Sequence, residues 1–178
     1  MKLASSIGEL VVTRAMASDA PAVRALRDEL ASWMLQRGIR QWSPGDLPAQ
    51  WIEVCIGFGE VSLVSHDDRL VGSVTVVWDD PLIWGEQPES AGYIHMLMVD
   101  RAFAGHGVGR LILQCAEDSI TAAGHPRARL DCVADNQLLR GYYEREGYRC
   151  VGTKTFPDLE WDGETALYEK QLSAHRAP

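Results

Sequence analysis

The apolar and polar residues of this chain alternate with two periods, which predict a mixture of helices and strands. From Ser18 to about Arg37, apolar residues recur every three or four positions, at Ala22, Val23, Leu26, Leu30, Trp33 and Met34. That spacing is typical of a helix with one buried face, and Ser18 is suited to cap its first turn. A second helix is predicted near residues 49–56, after a turn that Pro44 and Pro48 mark.

Short runs of β-branched and aromatic residues predict the strands. They lie at residues 10–14, 61–65, 70–78, from 93 onward, 128–133, 149–154 and 164–170. Two further helices are predicted, one after a glycine-rich turn and one after Asn136, which Asp135 or Asn136 is suited to cap. The order β-α-α-β-β-β-α-β-α-β-β is expected for one domain over residues 10–172, with loose ends at 1–9 and 173–178.

Composition and charge limit the classes of protein to consider. The chain has 178 residues, 46% of them hydrophobic and 24% charged, which suffices for one domain with a full core. No apolar run is long enough to span a membrane, and the first residues lack the apolar core of a secretory signal. A net charge of −8 without a basic stripe argues against binding nucleic acid. The charge suits a cationic substrate, although solubility is the simpler interpretation.

The four cysteines are Cys55, Cys115, Cys132 and Cys150, and they show neither the spacing of a zinc site nor a C-x-x-C motif. We therefore expect no metal and a reducing, cytoplasmic location. Cys115 and Cys132 stand within apolar patterns, so we expect both to be buried. The excess of Arg over Lys is typical of a GC-rich bacterial genome.

The stretch from Tyr93 to Gly109, YIHMLMVDRAFAGHGVG, predicts a buried strand, a glycine-dense turn and the start of a long amphipathic helix. The first turn of a helix has unpaired N–H donors and roughly half a positive charge, so a pyrophosphate is the natural ligand. Its three glycines let the backbone approach phosphates closely. Arg110 stands where a G-x-G-x-x-G dinucleotide fingerprint needs glycine, and no Gly-Lys-Ser/Thr triplet forms a P-loop, which opposes a nucleotide-dependent enzyme.

The turn resembles the acetyl-CoA loop of the GNAT N-acetyltransferase superfamily. The family's pattern, Gln/Arg-x-x-Gly-x-Gly/Ala, falls on residues 104–109, and Ala104 takes the place of the Gln or Arg. The resemblance implies that acetyl-CoA is the co-substrate and that backbone donors carry more of its binding here. The loop residues implied to bind it are Ala104, Gly105, His106, Gly107, Val108, Gly109 and Arg110.

A second stretch, NQLLRGYYEREGY at residues 136–148, is similar to a later motif of the same family. In that motif an Asn precedes a helix that carries a Tyr seven residues on, and a Gly-aromatic pair follows. Asn136, Tyr143, Gly147 and Tyr148 are the matching residues. The resemblance implies the α/β (α+β) fold of the family: a single GNAT-like domain with a mixed, mostly antiparallel central sheet and helices on both faces.

The resemblance also implies roles for individual residues in a direct acetyl transfer. Asn136 would bind the cofactor, and Tyr143 matches the acid that protonates the departing thiolate. His95, in HMLMV, matches the base in the HALAV-type strand of arylalkylamine acetyltransferases, with a buried core histidine as the equal alternative. The strand whose backbone pairs with the pantetheine chain is matched by Leu97, Met98 and Val99.

Acceptor recognition is implied to fall on the first two helices and on the loop before Tyr93. The candidates are Glu29, Trp42, Asp80 and Trp84. Exposed loop tryptophans beside carboxylates suit an aromatic or cationic amine, whereas packing over the sheet edge is the equal alternative. The expected function is acetyl transfer from acetyl-CoA to a primary amine of a small molecule or peptide. The alternative is a non-catalytic acyl-CoA-binding sensor or interaction domain. A homodimer through the C-terminal strands is compatible with the sequence, although no sequence feature requires one.

Overall fold

A computed structural model describes residues 1–156 and 163–173 of the chain. Within these residues, eight strands form one mixed, mostly antiparallel sheet, accompanied by five helices. Numbered along the chain, the strands lie in the sheet in the order β1 (Lys2–Ser5), β2 (Gly8–Arg14), β3 (Val61–His66), β4 (Arg69–Val77), β5 (Gly92–Val99), β6 (Arg127–Val133), β8 (Glu164–Gln171) and β7 (Arg149–Thr155). The predicted α/β (α+β) class and the mixed sheet are therefore confirmed. Inside this fold the chain divides into two compact units, which are described in turn.

The first unit comprises Met1–Val76 and Met96–Ala116. Its helices and strands are β1 (Lys2–Ser5), β2 (Gly8–Arg14), α1 (Ala20–Leu35), α2 (Ala49–Phe58), β3 (Val61–His66) and most of β4 (Arg69–Val77). Neighbouring strands from β1 to β4 are all antiparallel. The hairpin between β3 and β4 turns at Asp67 and Asp68, whose φ angles of 46° and 59° are those a tight two-residue turn requires.

The second unit comprises Val77–His95 and the chain from Glu117 onward. It contains α3 (Pro81–Trp84), β6 (Arg127–Val133), α5 (Gln137–Arg145), β7 (Arg149–Thr155) and β8 (Glu164–Gln171). Two elements, β5 (Gly92–Val99) and α4 (Val108–Ala122), begin in one unit and end in the other. The pairing of β5 with β6 is parallel, whereas β8 is antiparallel to both β6 and β7.

The N-terminus is the first place where the structure differs from the sequence prediction. Residues 2–5 form β1, paired with β2, instead of part of a loose end. Four residues that alternate between exposed and half-buried positions are too short a pattern to indicate a strand by themselves. Asp19, and not Ser18, is the residue before α1, and its Oδ2 accepts a hydrogen bond from Met16 N–H at 2.7 Å. The C-terminal residues 174–178 lie outside the described residues.

The segment predicted as a loop at residues 79–90 contains the short helix α3. Pro81 begins it, because proline fits the first helical position, where its missing N–H is not needed. Asp80 caps it, with Oδ1 accepting from Ile83 N–H at 3.2 Å. The helix therefore has clear local signals, and it orients the carboxylate of Asp80.

Two glycines let α4 lie close to the strands. In the first unit, a Cβ at Gly72 would lie 2.5 Å from the side chain of Ile112. In the second unit, a Cβ at Gly92 would overlap Ile120. The buried face of α4 consists of Val108, Ile112, Leu113, Cys115, Ala116, Glu117 and Ile120. This close packing fixes where α4 begins, and hence where the glycine-rich turn stands.

The predicted apolar stripe of α1 is confirmed at Val23, Leu26, Leu30 and Met34, which are all buried. Cys115 and Cys132 are buried as expected. Among the described residues, each helix is too short or too polar to cross a lipid bilayer.

Candidate functional site

The glycine-rich turn opens α4 with a backbone path that glycine adopts most readily. Gly105 has a φ of +84° and Gly107 a φ of +77°, both in the left-handed region. The Gly107 carbonyl accepts from Leu111 N–H at 3.2 Å, so helical hydrogen bonding begins there. A Cβ built on either glycine meets no atom within 4 Å. The glycines are therefore required by the backbone path, and there is room for a ligand beside them.

The first backbone donors of α4 belong to Val108, Gly109 and Arg110. A helix provides no internal acceptor for these N–H groups, and they carry the positive end of its dipole. The turn is held to the N-terminal hairpin, because Ser6 Oγ donates to the His106 carbonyl at 3.0 Å. The Ala104 N–H donates to the Arg101 carbonyl at 3.3 Å, and the amides that follow it lie at the start of α4, a position that suits an anion such as a diphosphate.

The second half of β5 directs its backbone groups to two edges. The Met98 carbonyl oxygen faces β4, 2.5 Å from the position that a Cβ would take at Gly72. Because backbone groups alternate along a strand, those of Leu97 and Val99 point to the opposite edge.

The backbone of β5 is strained at Met96. This residue has a φ of +48°, which is uncommon for a residue with a side chain, and such strain is found at functional sites.

Asn136 and Tyr143 both belong to the second unit and are placed by α5. Asn136 caps the helix as predicted, with Oδ1 accepting from Leu139 N–H at 3.2 Å. Tyr143 is 6% exposed, and its ring packs against those of Tyr148 and Tyr168, with centroids 6.0 Å and 6.1 Å away. Burial raises the pKa of the Tyr143 phenol well above its usual value, and nearby ionisable groups add to the shift.

His95 lies between two carboxylates of the second unit. Its Nε2 is 3.3 Å from Asp80 Oδ2, and its Nδ1 is 3.9 Å from Asp131 Oδ1. One atom from each of the three side chains lies within 4.8 Å of the others, so the group is compact enough to hold one small cation. We call Asp80, His95 and Asp131 the carboxylate–histidine cluster. Both interpretations of His95, as a base and as a core histidine, stay predictions, because contacts with two carboxylates suit either one.

The Asp131 carboxyl binds its proton more tightly than an ordinary aspartic acid does. Burial raises its pKa from 3.8 to about 6; His95 opposes that shift, and the charge of Asp80 adds to it. The sequence analysis missed this residue. A signal was present, because Asp131 is a charge inside the apolar strand LDCV, and such a residue is rarely buried without a partner. Parallel pairing of Ile94 with Leu130 then brings the next residues, His95 and Asp131, together.

The acceptor candidates have different surroundings. Trp84 is not in a loop as predicted; it ends α3, is 8% exposed, and its ring lies edge-on to Tyr93 with centroids 6.0 Å apart. The structure therefore supports packing, rather than solvent exposure, for this tryptophan.

Trp42 is half-buried, and the guanidinium of Arg27 lies over its ring, 5.2 Å from the ring centroid. Glu29 is exposed on α1. Glu29 and Trp42 belong to the first unit, and Asp80 and Trp84 to the second.

The order of helices and strands and the mixed eight-stranded sheet are those of an acetyl-CoA-dependent acyltransferase. The family model for the acetyltransferase (GNAT) family matches residues 24–148. This chain therefore belongs to the acetyltransferase (GNAT) family.

Three known proteins illustrate the relationship. The uncharacterized N-acetyltransferase YesJ of Bacillus subtilis is 36% identical over 169 residues, which cover 90% of this chain and 89% of that protein. A GNAT-family acetyltransferase from Listeria monocytogenes is 28% identical, with a TM-score of 0.80 over 97% of this chain and 100% of the other. The putative acetyltransferase yncA of Salmonella typhimurium, solved with acetyl-CoA, shares the fold at 15% identity, with a TM-score of 0.68 over 95% and 97% of the two chains.

Proposed function

We propose that this protein transfers an acetyl group from acetyl-CoA to a primary amine by direct attack while both substrates are bound. The observation that carries the proposal is the family match over residues 24–148, which includes the glycine turn and Tyr143. The name N-acetyltransferase given to the Bacillus subtilis relative supports nitrogen as the acceptor atom. A small molecule and a peptide are both compatible acceptors.

In this proposal the turn of residues 104–110 binds the diphosphate of the co-substrate through its backbone amides. The open space beside Gly105 and Gly107 supports this role, and so does the position of the turn at the N-terminal, positive end of α4. Ala104 has no side-chain donor, so the backbone supplies this contact without the help of a Gln or Arg. Asn136 would add its side-chain amide, which the cap through Oδ1 leaves as a donor.

The outer edge of β5 is proposed to bind the pantetheine arm as an added strand would. The alternation of the strand restricts this role to the backbones of Leu97 and Val99, since the Met98 carbonyl faces β4. The N–H of Leu97 would then lie near the thioester carbonyl and stabilise the negative charge that develops on its oxygen.

Tyr143 is proposed as the acid that protonates the departing sulfur. Its raised pKa keeps the phenol protonated at neutral pH, but also makes it a weaker acid. A thiolate in the same buried surroundings is destabilised too, so the difference between the two groups decides the transfer. His95 is proposed as the base for the amine, because the two carboxylates beside it stabilise the imidazolium that forms.

The test is release of free thiol from acetyl-CoA in the presence of alkylamines, arylalkylamines, polyamines, amino acids, aminoglycosides and peptide N-termini. We expect turnover with at least one class, and saturable binding of CoA by calorimetry. Binding of CoA without thiol release across the panel would contradict the proposal and identify a binding protein instead. Calorimetry with ATP and NAD in place of CoA serves as the control for ligand class.

A cytoplasmic location is part of the proposal, and it is supported by the four described cysteines, none of which is in a disulfide, as is usual in a reducing compartment. The homodimer and the absence of a metal stay predictions, and size-exclusion chromatography with light scattering would measure the first.

A further inference from the structure

We propose that Arg37 and Arg101, which both stack on the indole ring of Trp33, bind the 3′-phosphate of coenzyme A. The inference rests on the proposed function, in which the glycine turn binds the diphosphate of the same molecule. It adds a charged site for the third phosphate. It therefore predicts that the protein distinguishes CoA from dephospho-CoA, which lacks only that phosphate.

One half-buried tryptophan of α1 holds two exposed guanidinium groups in place. The guanidinium carbon of Arg101 lies 3.9 Å from the centroid of the Trp33 ring, and that of Arg37 lies 4.4 Å from it. Both distances are well within the range of a cation–π contact. Because stacking already restricts these long side chains, each arginine loses less conformational freedom when it binds a ligand.

The two positive charges have no acidic partner within the described part of the chain. There, the guanidinium groups of Arg37 and Arg101 contact the Trp33 ring and form no ion pair. The carboxylate of Asp100, next to Arg101 in the chain, instead accepts from Arg69 Nη2 at 2.6 Å. In a chain with a net charge of −8, two neighbouring cations without a carboxylate repel each other, and a bound anion relieves that repulsion.

Arg101 also lies directly beside the glycine turn in the chain. It begins a short 3₁₀ helix, Arg101–Phe103, and its carbonyl accepts from the Ala104 N–H at 3.3 Å, where the turn of residues 104–110 begins. In CoA, only the ribose separates the 3′-phosphate from the diphosphate. A group that binds the 3′-phosphate must therefore lie close to the group that binds the diphosphate, and the position of Arg101 meets this requirement.

The chemistry of a phosphate monoester fits a pair of arginines. A monoester carries close to two negative charges at neutral pH and has three terminal oxygens that accept hydrogen bonds. Each guanidinium offers paired N–H donors in one plane, which match two of these oxygens. The backbone amides proposed to bind the diphosphate have no formal charge, so the two arginines supply the charge that a dianion requires.

Calorimetry with CoA and dephospho-CoA tests the site without turnover. Wild-type protein should bind CoA at least about tenfold more tightly than dephospho-CoA. Arg37→Met and Arg101→Met keep an apolar stem over Trp33, and each should lower this preference at least about threefold. The double variant should prefer CoA by less than about twofold, and its affinity for dephospho-CoA should equal that of wild type. Arg40→Met is the matched control, because it removes an exposed arginine of the same unit and should keep the wild-type preference.

The same preference for CoA in wild type and in the double variant would overturn the inference. An equal loss of affinity for CoA and dephospho-CoA would overturn it too, because it would assign the arginines to the diphosphate. Adenosine 3′,5′-bisphosphate and AMP repeat the comparison without a diphosphate, and only wild type should favour the bisphosphate.

The outcomes also separate this inference from the proposed function. Preference for CoA that depends on the two arginines, without thiol release from acetyl-CoA with any amine, would defeat the proposed function alone. Thiol release by a protein that binds CoA and dephospho-CoA equally would defeat this inference alone. Absence of CoA binding would overturn both.

Discussion

The glycine turn and the carboxylate–histidine cluster are built in opposite ways. The turn consists of consecutive residues in the first unit, and its chemistry comes from backbone N–H groups and from glycines at φ +84° and +77°. The cluster belongs to the second unit and joins side chains 80, 95 and 131 from three separate segments. The turn should therefore be sensitive to an added Cβ, and the cluster to a removed charge.

The difference also concerns burial. Gly105 and Gly107 are exposed and Gly109 is half-buried, so the turn lies at the surface rather than in the core. The cluster is shielded and stands beside buried packing, in which Trp84, Tyr93 and Arg129 contact one another. A change near the cluster should accordingly affect the stability of the fold, whereas a change in the turn should mainly affect binding.

The largest effect is expected for Arg129→Met, which breaks the buried packing beside the cluster. Arg129 is 3% exposed, donates to Glu169 at 2.9 Å and to the Tyr93 hydroxyl at 3.0 Å. Removal of one partner from a buried ion pair costs about 3–5 kcal/mol. Urea unfolding should show a loss of this size in the free energy of unfolding.

Arg24→Met is the control, because it breaks an exposed ion pair with Asp28 at 3.9 Å and should lower the free energy of unfolding by less than about 1 kcal/mol. Equal losses in the two variants would contradict a stabilising role for the buried contacts of Arg129.

Asp131→Asn should make the protein more stable at pH 7. Because the pKa of this carboxyl rises from 3.8 to about 6 on folding, the folded state keeps its proton in a range where the unfolded state has lost it. Stability therefore falls as the pH rises from about 4 to 6, and ionised Asp131 costs on the order of 2–3 kcal/mol above that range. Thermal unfolding across pH 4–7 should show that the variant lacks this decline. The exposed control Asp135→Asn should keep it.

Gly107→Val should weaken CoA binding on the order of 30-fold, because it disturbs one or two hydrogen bonds to a charged ligand. The Cβ would also force a branched residue into a left-handed conformation. Gly124→Val is the matched control, since Gly124 has a φ of +87° and no atom within 4 Å of its Cβ position. The two variants should lose similar amounts of stability. Calorimetry should show an altered Kd for CoA only in Gly107→Val.

The smallest effect is expected for Tyr143→Phe, which should lower kcat at least ~10-fold and leave the affinity for acetyl-CoA within about twofold. The reason is that, in the proposed mechanism, the hydroxyl acts on the departing sulfur and makes no contribution to cofactor binding. Tyr148→Phe removes an equally buried phenol whose ring packs on Tyr143, and its kcat should stay close to that of wild type. Unchanged steady-state kinetics in Tyr143→Phe would show that the Tyr143 hydroxyl is not the acid.

Local patterns predicted much of the fold, including the turn and the helix that carry the proposed cofactor contacts. The helical stripe of α1, the strand and turn at 93–109, and the Asn136 cap all depend on residues that are near neighbours in the chain. Periodicity, left-handed φ and capping are short-range preferences, so a single sequence displays them. The strand β1 escaped prediction because its stability comes from pairing with β2 rather than from its four residues.

The sequence by itself determined that this chain has the fold of an acetyltransferase, with an amide-lined turn suited to a diphosphate and a tyrosine on a capped helix. Only the tertiary structure brought Asp131 to His95, through the parallel register of β5 and β6, and turned Asp80 toward the same imidazole from the start of α3. The physical reason is range: a backbone turn is specified by adjacent dihedral angles, whereas a buried charge cluster exists only after distant strands have paired and excluded water.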